Sequence, residues 1–525
     1  MKRQNIFKMS ILILAACLAG FASTAADRRP MALLVMFDGL RADALEAADL
    51  PAVESLRTGT WAADYHGAWT LAGQNVPDAR PSSAANHTAI FTAVNAAKSG
   101  VYDNGQTKNG HYDAWPTWLT RVTQAVPGTK GLFIFSWSEG KQYPCTENVS
   151  FIHDSDANNG RRLAEILARP DAPDAIQYFI DLPDHGGHAQ GFYPFARDYL
   201  QAIHTADADL GRALAAIKNR PTFKDEDWLI LVTSDHGGYL RTHGVWGGHC
   251  TTVPLVLAGR RTPTGRLPGA PRHYDLTATA LAHFGLDPAA LNLDGRPLTL
   301  SAAPDSPRAL TDGLAAYLNF ADRKDGILRL TASTNAPCGF LVPNTDKLAF
   351  EHGGDFTATV WARLPAAQKG DPVIFSNKDW SRGIHPGIAL VAAKKMEGAA
   401  TPGVVFNAGR ANGNRLDVGQ FDAPAGQWVF HAVVRTADGV CHVYQGAPDG
   451  RLYRLAAPAA DLVVATGLPF FLGQDGTGAY PHPLQGDLDE FALWTRALTH
   501  EDVRRIYAAG RRGVALGELL EASAP

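Results

Sequence analysis

Met31-Ala32-Leu33-Leu34-Val35-Met36-Phe37-Asp38-Gly39-Leu40-Arg41 opens with seven apolar residues in a row and ends them on an aspartate. An uninterrupted apolar run of that length, closed by a turn signal, reads as a strand buried on both faces, which is the environment of a parallel sheet. Similar runs recur at Gly131-Leu132-Phe133-Ile134-Phe135, Ile176-Gln177-Tyr178-Phe179-Ile180 and Trp228-Leu229-Ile230-Leu231-Val232, with longer amphipathic stretches between them. This alternation from Arg29 to about Leu300 predicts an α/β domain, a mostly parallel sheet sandwiched by helices. The first, third and fourth runs are each followed by an aspartate: Asp38, Asp184 and Asp235. Ligands of open α/β sheets bind beyond the carboxyl ends of the strands, so these side chains are expected to share one crevice.

Past about Ala302 the texture changes to short alternating strands with Gly, Asn and Asp turns, as in Phe356-Thr357-Ala358-Thr359-Val360-Trp361-Ala362-Arg363, which predicts an all-β jelly-roll sandwich. Pro304 and Pro307 interrupt any helix near the boundary, and Glu501 to Ala509 reads as a closing helix. The expected organisation is a signal peptide over 1–26, a catalytic domain over 27–305, a linker over 306–325 and the sandwich over 326–515. The signal rests on Lys2, Arg3 and Lys8 before the apolar run Met9 to Phe21, then small residues to Ala26. That run is shorter than the roughly 20 residues that span a bilayer. Export to the periplasm or medium follows, with no transmembrane segment after cleavage. The alternative is a lipoprotein anchored at Cys17, within Leu14-Ala15-Ala16-Cys17. An oxidising compartment permits disulfides, Cys145 to Cys250 and Cys338 to Cys441 being the simplest pairing, with free buried thiols the alternative.

The net charge of −4, with 19% of residues charged, gives no global field that would favour a nucleic acid polymer or an anionic membrane. No Ser-His-Asp elbow, Walker loop or dinucleotide fingerprint is present in the first domain. What stands out instead is a set of polar groups at strand ends and in the loops after them: Asp38, Ser83, Asp184, His188, Asp235, His236 and His243. Each alone reads as a helix cap or a structural imidazole. Together, three carboxylates and three imidazoles supply two mixed nitrogen and oxygen sites, a donor set suited to zinc more than to magnesium or calcium.

Four segments carry a resemblance: Phe37-Asp38-Gly39-Leu40-Arg41, Pro81-Ser82-Ser83-Ala84-Ala85-Asn86-His87-Thr88, Pro183-Asp184-His185-Gly186-Gly187-His188 and Thr233-Ser234-Asp235-His236-Gly237-Gly238. With them the chain from about Ala32 to Gly259 resembles the type I phosphodiesterase and nucleotide pyrophosphatase branch of the alkaline phosphatase superfamily. The resemblance implies an alkaline-phosphatase-like fold with two Zn2+ ions, one on Asp184, His188 and His243, the other on Asp38, Asp235, His236 and the Ser83 oxygen. It makes Ser83 the nucleophile, with Ser82 the rival. It selects His243 because His243-Gly244 precedes Pro254 by the family's interval, with His249 the alternative in the same loop. Asn104, in Gly100-Val101-Tyr102-Asp103-Asn104, takes the place of an asparagine that holds a phosphoryl oxygen.

The implied activity is hydrolysis of phosphodiester or pyrophosphate bonds through a phosphoseryl intermediate. The alternatives are a phosphomonoesterase or phosphonate hydrolase on the same site, or an inactive glycan-binding surface protein. A sulfatase is disfavoured because no Arg stands four residues after Ser82 or Ser83. Trp137 in Phe135-Ser136-Trp137-Ser138-Glu139-Gly140-Lys141 resembles the diesterase relatives, where a monoesterase would carry a Lys-Xaa-Arg clamp. The substrate class is a small-molecule, glycan or lipid phosphate ester. From about Gly313 to Gly510, on Phe356 to Arg363, Gly426 to His431 and Gly486 to Leu498, the chain resembles a laminin-G or concanavalin A-like module. Such modules imply glycan binding, with Ca2+ assisted by Asp487 and Asp489, or a spacer role. Trp380 and the exposed-looking Trp494 read equally as core aromatics or sugar platforms.

Overall fold

The computed structural model describes residues 28–144, 146–298, 308–331, 339–343, 354–394, 403–420, 424–446 and 450–523. The signal segment 1–26 with Cys17, and Cys145 and Cys338, lie outside the described residues. Cys250 and Cys441 are buried free thiols, so the within-half pairing gives way to its alternative.

The first domain is built on an eight-stranded sheet. Its strands are β1 (Arg29–Phe37), β2 (His66–Gln74), β3 (Gly131–Phe135), β4 (Val149–His153), β5 (Ala175–Ile180), β6 (Glu226–Thr233), β7 (Thr252–Gly259) and β8 (Gly265–Arg266), in the order β4-β3-β5-β1-β6-β7-β2-β8. The five strands from β4 to β6 in that order run parallel, whereas β7 is antiparallel to both β6 and β2. The unbroken apolar character of β1 follows from its central place. Met31, Leu33, Val35 and Phe37 enter the core under the helix Arg197–Lys218, while Ala32, Leu34 and Met36 enter the core on the other face, with Ile90, Phe91 and Trp118. Each large apolar side chain buried in this way contributes about 1.5–3 kcal/mol.

The second domain is a sandwich of a seven-stranded and a six-stranded sheet, with antiparallel pairing throughout the described residues. The strand Leu314–Leu318 pairs with Gly486–Trp494, so the segment read as linker contributes to the seven-stranded sheet. The closing helix runs His500–Arg511, capped by Thr499 and Asp502, and a further helix Leu516–Ala522 follows. These helices and Leu310 cover Trp494, which is fully buried and donates its indole N–H to the Leu310 carbonyl at 2.7 Å. Trp380 is buried too, so both are core aromatics. Asp487 is paired with Arg363 at 2.6 Å, and Asp489, pushed up to about 6 by burial, accepts from the Glu490 amide.

Lys378 is wholly buried in this sandwich, donating to the Gly383 carbonyl at 2.7 Å and to Asn407 Oδ1 at 2.6 Å. Burial lowers its pKa to about 7, against the partial pull of Asp417. A base depressed in the folded state stabilises most above its unfolded pKa of about 10.4 and loses that contribution as pH falls through its folded value. The sandwich of the native protein therefore gains stability relative to Lys378→Met between pH 7 and 9. Chemical denaturation at several pH values measures the difference, and a constant offset overturns the assignment.

The two domains meet beside β2 and β7, where Ala72 packs with Val440 and Ala456 of the sandwich. Arg454 Nε donates to Glu46 Oε2 at 3.0 Å, Thr252 Oγ1 donates to the Ala456 carbonyl at 2.7 Å, and Asp438 Oδ2 accepts from the Gly269 amide at 3.0 Å.

Candidate metal centre

Because β5, β1 and β6 are neighbours, the segments that follow them emerge side by side. Asp38 follows β1, Asp184 sits in the first turn of the helix Leu182–Gln190 after β5, and Asp235 and His236 follow β6. All four are buried. Two glycines of these segments are fixed by close approach. A Cβ on Gly238 would stand 2.2 Å from the Phe192 ring, and one on Gly39, whose φ is +70°, would stand 2.9 Å from both Phe192 and Asp184 Oδ1. Arg41 holds the same loops: it is fully buried, bonded to Asp43 at 2.5 and 2.8 Å, and donates to the carbonyls of Phe192 and Gly238 at 2.9 and 3.2 Å.

Ser83 opens the helix Ser83–Thr92, and its Oγ lies 3.1 Å from His236 Nε2. His236 Nδ1 donates to the Gly237 carbonyl at 2.7 Å, which leaves the Nε2 lone pair facing Ser83, Asp235 Oδ2 at 3.2 Å and Asp38 Oδ1 at 3.4 Å. The pattern repeats nearby: His188 Nδ1 donates to the Arg241 carbonyl at 2.9 Å, turning Nε2 to Asp184 Oδ2 at 3.2 Å. His243 Nε2 lies 3.9 Å from Asp184 Oδ1, and its ring stacks on His236 at 4.0 Å. Ligand-type atoms fall within 4.8 Å of one another in the groups Asp184, His188, His243; Asp38, Asp184, His236; and Asp38, His87, Asp235.

Lone pairs aimed at carboxylates require a positive charge between them. Asp38 Oδ1, Asp184 Oδ1 and Asp235 Oδ2 are buried and accept no hydrogen bond, an arrangement costly for a carboxylate without a cation. Burial, then Asp235, raises the Asp38 carboxyl well above its usual range. Burial would raise Asp235 as well, but His236 and His87 hold it low. Burial and His236 lower His243 to about 4, so the ring is neutral at neutral pH, with one nitrogen carrying a lone pair available to a metal. The residues present therefore fit divalent cations with mixed nitrogen and oxygen ligation.

Of the residues singled out by sequence, the structure brings Asp38, Ser83, Asp184, His188, Asp235, His236 and His243 into one cluster. The rival Ser82 is buried, but its hydroxyl makes no hydrogen bond. His249 is buried against Tyr239, ring centroids 4.9 Å apart, outside the ligand groups found among the described residues. Asn104 Oδ1 accepts from the Ala84 amide at 2.9 Å beside Ser83, which leaves its Nδ2 as a donor.

Residues 32–239 match the type I phosphodiesterase / nucleotide pyrophosphatase family, and residues 340–504 match the concanavalin A-like lectin/glucanases superfamily. The first domain is alkaline phosphatase-like. The chain thus joins a first domain that matches a phosphodiesterase family model to a sandwich that matches a concanavalin A-like one. A curated relative named Sulfatase, from Formosa agariphila, is 37% identical over 78 residues, 14% of this chain and 15% of its own length. A structure of inactive murine ectonucleotide pyrophosphatase/phosphodiesterase 5 with AMP is 15% identical over 49% of this chain and 96% of that one, with a TM-score of 0.38. The periplasmic domain of phosphoethanolamine transferase EptC from Campylobacter jejuni is 13% identical over 51% and 96%, with a TM-score of 0.36.

Within the alkaline phosphatase-like domain, His87 is the member that sequence reasoning passed over. Its Nε2 lies 3.2 Å from Asp38 Oδ2 and 3.1 Å from Asp235 Oδ2, and its ring meets Phe179 and Trp137 edge-on. The signal was available: His87 stands four residues after Ser83, hence on the same helix face.

Proposed function

We propose that this chain is an exported two-zinc phosphoesterase that cleaves phosphodiester or pyrophosphate bonds through a phosphoseryl intermediate on Ser83. The observation that carries the reading is the contact of Ser83 Oγ with His236 Nε2 at 3.1 Å, inside a cluster of buried carboxylates with unpaired oxygens. Asp184, His188 and His243 would hold one ion, and Asp38, Asp235, His236 and the Ser83 oxygen the other. When bound, the two cations supply Lewis-acid charge that lowers the pKa of the serine hydroxyl and polarises the phosphoryl group.

The chain's own groups do the rest. Ser83 directs Oγ at phosphorus from the first turn of its helix, where backbone N–H groups and the helix dipole favour the anionic form. Asn104 Nδ2 donates to a nonbridging oxygen as charge accumulates there. The Oγ–P bond forms as the bond to the leaving oxygen breaks, and water then cleaves the serine ester, returning the hydroxyl. Trp137 beside His87 favours a substituted phosphate over a bare dianion. Sulfate esters are disfavoured because the position of a formylglycine frame's arginine is held by His87, turned onto Asp38 and Asp235. Export rests on the basic, apolar and small-residue order of the first 26 residues.

Zinc-loaded protein is expected to turn over bis(p-nitrophenyl) phosphate with a kcat/KM at least about tenfold above that for p-nitrophenyl phosphate, a transition-state difference of about 1.4 kcal/mol. A monoester rate above the diester rate moves the assignment to a phosphomonoesterase. Preferential turnover of p-nitrophenyl sulfate overturns it.

A further inference from the structure

Three residues beyond His243, the same loop turns Trp246 into solvent with 58% of its surface exposed. The loop is held on one side by the Gly244 amide, which donates to the Pro81 carbonyl at 3.0 Å, two residues before Ser83, and at Gly248 it passes beside Val418 of the sandwich, where an added Cβ would lie 3.9 Å from Cγ1. Trp246 lines a cleft of about 940 Å³ together with Pro77 of the first domain and Ile384, Asn412, Asn414 and Arg415 of the sandwich. Ile384 is itself 45% exposed, so two of the large apolar side chains left in solvent converge on one cleft.

The lining selects a ligand class. Arg410, also in the wall, is paired with Asp461, and Arg415 with Asp417 at 2.8 Å, so the cleft carries little net charge and is no anion clamp. It offers an aromatic platform, an apolar contact and a row of amide and guanidinium groups along the turn 410–415. An apolar-faced ligand rich in hydroxyls fits that combination. A nucleobase stacked on Trp246 presents too few polar edges to use the whole turn. Trp246 is three residues from His243, a separation of at most ~11 Å along the chain, so a group esterified at the cluster reaches the cleft.

We infer that this cleft binds the leaving group of the substrate, that the leaving group is an oligosaccharide, and that the sandwich supplies one wall of the subsite. The inference rests on the phosphoesterase reading of the cluster. Its test compares the zinc-loaded full chain with Trp246→Ala and with the double variant Asn412→Ala/Asn414→Ala. The substrates are a methyl phosphodiester of a tetrasaccharide, from which the saccharide is the better leaving group, the matching methyl diester of a nucleoside, and bis(p-nitrophenyl) phosphate; release of the free saccharide or nucleoside is measured. Affinity for the unesterified tetrasaccharide is measured by calorimetry.

The ratio of kcat/KM for the saccharide ester to that for bis(p-nitrophenyl) phosphate is expected to fall roughly tenfold in Trp246→Ala, chiefly through KM, and severalfold in the double variant. Tetrasaccharide affinity falls in parallel. Unchanged ratios and affinity overturn the subsite, and a Trp246-dependent preference for the nucleoside ester overturns the glycan assignment. If the native protein hydrolyses none of the esters yet binds the tetrasaccharide through Trp246, the phosphoesterase reading fails while the cleft stands.

Discussion

Ser83→Ala lowers kcat for the diester by on the order of 10⁴-fold or more, and acid quenching of the native enzyme during turnover traps a phosphate on Ser83 that the variant lacks. The size of the effect follows from geometry. Ser83 Oγ is the hydroxyl that touches the cluster, 3.1 Å from His236 Nε2, and its loss removes the covalent route altogether. A residual rate is expected from the surrounding groups, because binding and electrostatic stabilisation survive loss of a nucleophile. Ser82→Ala is the discriminating control. Its hydroxyl makes no hydrogen bond, so removing it is expected to change kcat by less than about tenfold, and the two variants separate the register of the nucleophile. Phosphopeptide mapping that places the trapped group on Ser82, or full activity in Ser83→Ala, overturns the assignment.

The residues of this site were legible because each of three apolar runs ends on polar groups, and an apolar run is readable without knowing its partners. The order β5-β1-β6, which brings those ends together, is a property of topology and leaves no mark on any single segment. Strand β2 was passed over for a related reason. His66–Gln74 mixes polar and small residues, and its strand character comes from antiparallel pairing with Thr252–Gly259. Arg41 was read only as part of a motif, since nothing local distinguishes a buried arginine from a solvated one. Its burial depends on Asp43 and on two carbonyls more than 150 positions away. Trp494 stayed between a core aromatic and a sugar platform for the converse reason: the sheet alone would leave one of its faces open, and the covering comes from helices beyond residue 499.

Removal of divalent cations is expected to abolish diesterase activity and to lower the thermal midpoint of the alkaline phosphatase-like domain. With ions present at about 1,000 times their dissociation constant, each bound site stabilises the folded state by ~4 kcal/mol. At 2–4 °C per kcal/mol for domains of this size, one site corresponds to roughly 8–16 °C. The physical cause is visible in the cluster: Asp38 Oδ1, Asp184 Oδ1 and Asp235 Oδ2 are buried without hydrogen-bond donors, and the Nε2 atoms of His188 and His236 face carboxylates. Without cations these groups repel or must take up protons. All the ligand groups found among the described residues belong to the first domain, so a transition of the sandwich should move little in the same scan. Readdition of Zn2+ restores both activity and midpoint, whereas Mg2+, which prefers oxygen donors in octahedral array, restores neither fully. Differential scanning calorimetry before and after dialysis against a chelator, with elemental analysis of both samples, decides the matter. A metal-free protein that keeps its midpoint and its diesterase rate would show that the buried carboxylates are neutralised by protons, and the proposed two-zinc chemistry would fall with that result.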